Sequence, residues 1–185
     1  MLIGIISDTH DDAAAVEAAV ALFERERVDA VVHCGDFVAP FSVTPFASLV
    51  ERDSSDDDTA SAADGVDFHA VRGNNDGEWA VQSAVESFGT YHGEAATLAF
   101  DGREVAVTHG TSGVVVDALV DCGDCDYVLH GHTHAHAAEA RDGTVRVNPG
   151  GLPIPVEGAD DRFRVATIDT TAEGVDAVTH HALER

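Results

Sequence analysis

Five times along this chain a short apolar run gives way to a residue type that binds metals, usually beside a glycine. Leu-Ile-Gly-Ile-Ile-Ser leads to Asp8-Thr9-His10, and Ala-Val-Val-His-Cys leads to Gly35-Asp36. Phe-His-Ala-Val-Arg leads to Gly73-Asn74-Asn75-Asp76, Val-Ala-Val-Thr to His109-Gly110, and Tyr-Val-Leu-His to Gly131-His132-Thr133-His134. In open α/β sheets, ligands bind beyond the carboxyl ends of the strands. If the five runs share a sheet core, their polar sequels meet along one edge. Glycine permits the tight turns that such crowding needs. Asp8 and His10 are two apart, as are His132 and His134, and in extended backbone such pairs point the same way.

The remaining pattern agrees with strands of this kind. Leu2–Ser7, Ala30–Cys34 and Phe68–Arg72 read as strands, and apolar runs such as Leu-Ile-Gly-Ile-Ile and Ala-Val-Val-His suggest strands covered on both faces. Between them, Ala13–Arg25 reads as a helix capped by Asp11 or Asp12, with Val16, Val20 and Phe23 on one face. A second helix is expected from Pro40, a favoured opening residue, to about Val50, and a third at Glu78–Val85. Asp101-Gly102 and Asp142-Gly143 signal hairpins joining Ala96–Phe100 to Glu104–Thr108 and Ala137–Ala140 to Thr144–Val147. Gly113–Val120 reads as helical and Asp126–His130 as a strand; Phe163–Asp169 and Val175–His180 form a last pair. The strand count suits two stacked sheets flanked by helices, in a single domain spanning residues 1–185.

The candidate ligands offer carboxylate, imidazole and amide oxygen. That mixture suits Mn, Fe, Zn, Ni or Co and lacks the thiolates of a structural zinc site. Seven such residues (Asp8, His10, Asp36, Asn74, His109, His132 and His134) exceed the needs of one ion. A carboxylate shared between two divalent ions resolves the surplus.

In order and spacing, D-x-H, GD, GN, an isolated H and GHxH resemble the calcineurin-like metallophosphoesterase family, from Met1 to about Gly150. The short length and the Asn148-Pro149-Gly150-Gly151 run look like its small prokaryotic phosphodiesterase branch. The resemblance implies a four-layer α/β/β/α sandwich with the site at the sheet edge. It also implies one metal held by Asp8, His10, Asp36 and His134, and another by Asp36, Asn74, His109 and His132, with Asp36 bridging. Mn is the expected ion, with Fe, Ni, Co or Zn as alternatives. The implied chemistry is in-line attack on phosphorus by a hydroxide that the two metals activate, with Asn74, Asn75 and His109 stabilising charge on the phosphoryl oxygens. Many relatives carry His after the GN pair. Asn75 stands there instead, and it can donate a hydrogen bond but cannot act as a general acid near neutral pH. This favours phosphodiesters over monoesters with poor leaving groups. The alternative on the same fold is a non-catalytic, retromer-like interaction scaffold; loss of ligands would mark it, and all seven are present.

Charge narrows the partners. The chain carries 34 acidic residues against 10 basic ones, every one of them Arg, for a net charge of -24. Such a surface repels long nucleic acids and anionic membranes, leaving a small phosphate ester as substrate. The acidic residues are spread along the chain, as in proteins adapted to high salt, where screening removes their self-repulsion. The densest group, Asp56 to Asp58, lies in an acidic loop insertion near residues 52–67 whose spacing does not fit an EF-hand. Three cysteines make no disulfide framework, so a reducing cytoplasm is expected, and Cys122-Gly-Asp-Cys125 reads as a connection, not a redox pair. The first residues read as a strand and not a signal peptide, and no apolar run reaches the roughly 18 residues of a membrane span. A homo-oligomer, dimer or tetramer, is expected from the small relatives. Among the other histidines, His33 and His69 read as packed core and His92, His180 and His181 as solvated; His136 is a reserve ligand. Trp79 reads as helix packing and Arg72 as solvated.

Overall fold

The structure is a computed structural model that describes residues 1–51, 65–155 and 161–184. Most of the acidic stretch at 52–67 lies outside the described residues. The first sheet takes β1 (Leu2–Ile6), β2 (Ala30–His33), β3 (Asp67–Ala70) and β4 (Thr90–Tyr91) in parallel. It is completed by β10 (Phe163–Asp169), antiparallel to β1, and β11 (Val178–Leu183), in the order β11-β10-β1-β2-β3-β4. The second sheet runs β5-β6-β7-β9-β8, from β5 (Ala95–Phe100), β6 (Arg103–Thr108), β7 (Tyr127–Leu129), β8 (Ala137–Arg141) and β9 (Thr144–Asn148). Its β6, β7 and β9 are parallel, and the expected hairpins β5-β6 and β8-β9 form its two margins.

Alternation along each strand builds the layers. On β1, Ile3 and Ile5 face the second sheet while Ile6 faces the helices. Gly4 leaves room on that same face for Phe23, whose ring lies 2.8 Å from where a Cβ would stand. Phe23 belongs to α1 (Ala13–Glu26), which packs with α2 (Ala47–Val50) and α3 (Glu78–Val85) against the first sheet. On β7, Tyr127 and Leu129 turn inward between the sheets and Val128 turns outward to α4 (Gly113–Cys122). Burying one such side chain stabilises the fold by roughly 1.5–3 kcal/mol. The result is the expected helix, sheet, sheet, helix sandwich.

Local chemistry explains the element ends. The Asp12 carboxylate accepts the Ala15 N–H at 2.9 Å and starts α1; Arg27, left-handed at φ 56°, ends it. The helix expected over Pro40–Val50 is instead two 3-10 turns, Pro40–Ser42 and Thr44–Phe46, followed by the single turn of α2. Pro45 has no N–H to donate and interrupts the ladder. Cys122 and Cys125 flank the exit from α4, where Gly123 takes φ 70°, and all three cysteines are free thiols. Among the described residues, no helix is long and apolar enough to cross a membrane.

Candidate metal centre

The loops after β1, β2, β3, β6 and β7 meet at one edge, as the recurrence requires. Backbone hydrogen bonds lace them together: Asp8 N–H to the Gly35 carbonyl at 3.0 Å, His10 N–H to that of Asp36 at 3.1 Å, and Gly131 N–H to that of His109 at 2.8 Å. The Nδ1 of His109 sits 2.8 Å from the Cys34 carbonyl, which ties the second sheet to the first.

Here the expected geometry needs one correction. Asp8, His10, His132 and His134 are not extended; their φ values are 56°, 41°, 66° and 56°. The loops after β1, β2, β6 and β7 turn left-handed after their strands, so Asp8 and His10, and His132 and His134, do not converge as alternate residues of an extended strand.

Two groups of side chains can each hold an ion: Asp8, His10 and His134, and Asp8, Asp36 and His109. His134 Nε2 lies 3.4 Å from Asp8 Oδ1, and His10 Nε2 lies 3.8 Å from it. Asp36 Oδ2 is 3.6 Å from His10 Nε2 and 3.5 Å from His109 Nε2. Asn74 Oδ1 is 3.0 Å from that same His109 nitrogen. His132 donates its backbone N–H to Asp8 Oδ2 at 2.9 Å and sets its ring edge-on to His109, centroids 5.1 Å apart. Five of the seven expected ligands thus lie in these two groups, and Asn74 and His132 lie against His109. Asn75 donates its backbone N–H to Asp36 Oδ1 at 2.8 Å and its amide to Oδ2 at 2.7 Å.

The protonation pattern tells what this cluster lacks. His109 and His134 donate Nδ1–H to the carbonyls of Cys34 and Leu152, the latter at 2.6 Å, which leaves each Nε2 lone pair facing a carboxylate. Asp8 Oδ1 and His10 Nε2 are buried without a hydrogen-bond partner. Lone pairs face lone pairs, and only positive charge between them relieves the repulsion. Asp8 beside it raises His10 above the ordinary imidazole range. Burial opposes a proton on His109, but Asp36 and Asp8 more than reverse this. Burial would raise the Asp36 carboxyl, yet His109 and the two Asn75 donors hold it well below the carboxylate range. Oxygen and imidazole donors with unsatisfied lone pairs fit divalent transition metals.

Asp76 is a residue that sequence reasoning passed over. Its carboxylate accepts from the backbone N–H groups of Asp36 at 3.1 Å, Gly73 at 2.7 Å and Val38 at 2.8 Å. It thereby fixes the β2 and β3 loops against each other. The signal was present in Asp following Asn-Asn, since Asp favours bonds to backbone in turns. Other histidines divide differently from expectation. His33 is buried core, stacked on Phe37 at 3.5 Å. His69 and His92 instead share a 3.0 Å contact, and His180 and His181 are half-buried, bonded to the Asn148 carbonyl and Thr167. His136 is exposed and outside the cluster.

Comparison with known proteins agrees with this architecture. Residues 1–173 match the model of the calcineurin-like phosphoesterase superfamily domain. The chain belongs to that family. It is 31% identical over 156 residues to phosphodiesterase MJ0936 of Methanocaldococcus jannaschii, covering 81% of this chain and 83% of that one. A solved archaeal phosphodiesterase superposes with a TM-score of 0.81 at 27% identity, covering 99% of this chain and 100% of the other. A Vps29 variant from Entamoeba histolytica shares the fold, with a TM-score of 0.65 at 17% identity over the whole of both chains.

Proposed function

We propose that the protein is a metal-dependent phosphodiesterase for small diesters. One observation carries this: Asp8 Oδ1 and His10 Nε2 lie buried and unpartnered within a ring of oxygen and imidazole acceptors. Asp8, His10, Asp36 and His134 would hold one ion, and Asp36, Asn74, His109 and His132 the other. Asp36 would be the common ligand, its Oδ2 lying within 3.6 Å of both His10 Nε2 and His109 Nε2, although Asp8 is the residue that the two side-chain groups described above share. Mn suits this donor set. Bound there, a pair of divalent cations supplies a water of near-neutral pKa and neutralises charge on the phosphoryl oxygens.

The chain's own residues do the rest. The Cys34 and Leu152 carbonyls hold His109 and His134 in the tautomer that ligates. Asp76 locks the backbone of Asp36 and Gly73. Asn74 and His109 would help to stabilise charge on the phosphoryl oxygens, and the Asn75 amide, which donates to Asp36 Oδ2, would add a hydrogen-bond donor there. Asn75 is not an acid able to protonate a poor leaving group, which favours diesters. The dispersed acidic surface suits a high-salt cytoplasm and disfavours long polyanions, and small relatives of this kind suggest a dimer or tetramer.

The test is Asp36→Asn, with metal content and hydrolysis of bis(p-nitrophenyl) phosphate in Mn measured together. Turnover should fall by more than about a hundredfold, the loss seen when even an outer partner of a metal ligand is removed. Retained metal and activity would refute the shared ligand. Metal bound by the unaltered protein without turnover of any ester would favour the scaffold reading.

A further inference from the structure

Trp79, the chain's single tryptophan, is 75% exposed on α3, not packed as its helical setting suggests. Its indole face is open to stack on a ligand. It lines a cleft of about 470 Å³ with Arg72, Gln82, Tyr91, Gly93 and Glu94. That volume falls within the roughly 300–1,000 Å³ of small-ligand sites.

The cleft adjoins the metal centre. Arg72 immediately precedes Gly73-Asn74-Asn75. Glu94 also lines a smaller cleft of about 240 Å³ that contains His109. Arg72 is held in place, its backbone N–H on the Gly93 carbonyl at 2.6 Å and its guanidinium on Glu94 at 3.2 Å. Burial pushes the Tyr91 phenol up to about 12, so it stays a neutral donor.

We propose that this cleft seats the organic arm of the diester, and that the arm carries a nucleobase which stacks on Trp79. The proposal rests on the phosphodiesterase reading above. A bare hydrocarbon ring would use only the indole face. The rim of Arg72, Gln82, Tyr91 and Glu94 offers donors and acceptors that suit the polar edge of a base. Aromatic stacking tolerates any base and contributes about tenfold in affinity per base. It also survives high salt, where ionic recognition is screened.

Two esters with the same leaving group test it: thymidine 5′-(p-nitrophenyl) phosphate and methyl p-nitrophenyl phosphate. Trp79→Ala should raise the KM for the thymidine ester about tenfold relative to the methyl ester, and Trp79→Phe should restore most of the difference. An unchanged KM ratio overturns the proposal. A second readout does not depend on turnover, because the sole tryptophan reports directly. Thymidine 5′-monophosphate should quench its fluorescence saturably, whereas ribose 5-phosphate should not. Emission indifferent to the nucleotide, or equally sensitive to both, also overturns the proposal. If neither ester is hydrolysed, the phosphodiesterase reading fails, and the fluorescence still decides whether a base occupies the cleft.

Discussion

The metal centre and the two Asp-Gly hairpins both depend on left-handed backbone, but they use it in opposite ways. In the hairpins, Asp101 and Gly102 take φ 50° and 80°, and Asp142 and Gly143 take 50° and 98°. Both residues there are conformational specialists, and a Cβ on either glycine would meet open space. At the centre, the left-handed positions include the chemically important residues Asp8, His10, Asp36, His132 and His134. Each such residue costs of order 1–3 kcal/mol unless its surroundings over-determine it. Gly73 and Gly131 need no unusual φ; they are glycine because a Cβ would strike the Asp36 backbone or Ser7 and Asp8. The hairpin glycines supply conformation, whereas Gly73 and Gly131 supply space.

Substitution can break or sharpen this contrast. Gly131→Ala should have the larger effect, because its methyl would collide with the Ser7 hydroxyl and lie 2.5 Å from Asp8 Oδ2. A loss of about 1–3 kcal/mol in denaturant unfolding is expected, together with loss of bound metal. Normal metal content would mean the loop yields and that crowding does not define the site. Gly143→Ala should cost about 1–2 kcal/mol through strain at φ 98° while metal content stays unchanged. A change in metal content there would erase the distinction. Asp142→Asn should shift stability by less than about 0.5 kcal/mol in the same unfolding measurement, since Asn tolerates the left-handed turn equally well.

The same contrast explains what was legible in the sequence. The hairpins are local, so Asp-Gly between apolar runs announces them. The strands and the layered architecture follow from apolar runs and glycine-bounded ends, and the candidate ligands from their recurrence. Less legible was how the ligands converge, because left-handed Asp and His after a strand have no residue signature comparable to Asp-Gly. β4 spans only Thr90–Tyr91 and was not expected, being too short to show a period. Val175 was assigned to the last strand, but Gly174–Ala177 forms a 3-10 turn and β11 begins at Val178. Asp76 bonds the nearby Gly73 N–H, as Asp in a turn does, but its bonds to Asp36 and Val38 in the β2 loop are ones that no local pattern reveals. Trp79 fits a helix face by spacing, and only the fold shows that this face meets water.

Strand β1 lies between β2 and β10, with Leu2 opposite Asp169. On a ribosome, every candidate ligand would emerge before the partner on that flank exists. A nascent chain therefore holds one long margin of its central strand unpaired through most of synthesis, the condition under which strands recruit wrong neighbours. Closure by so distant a segment also favours slow folding.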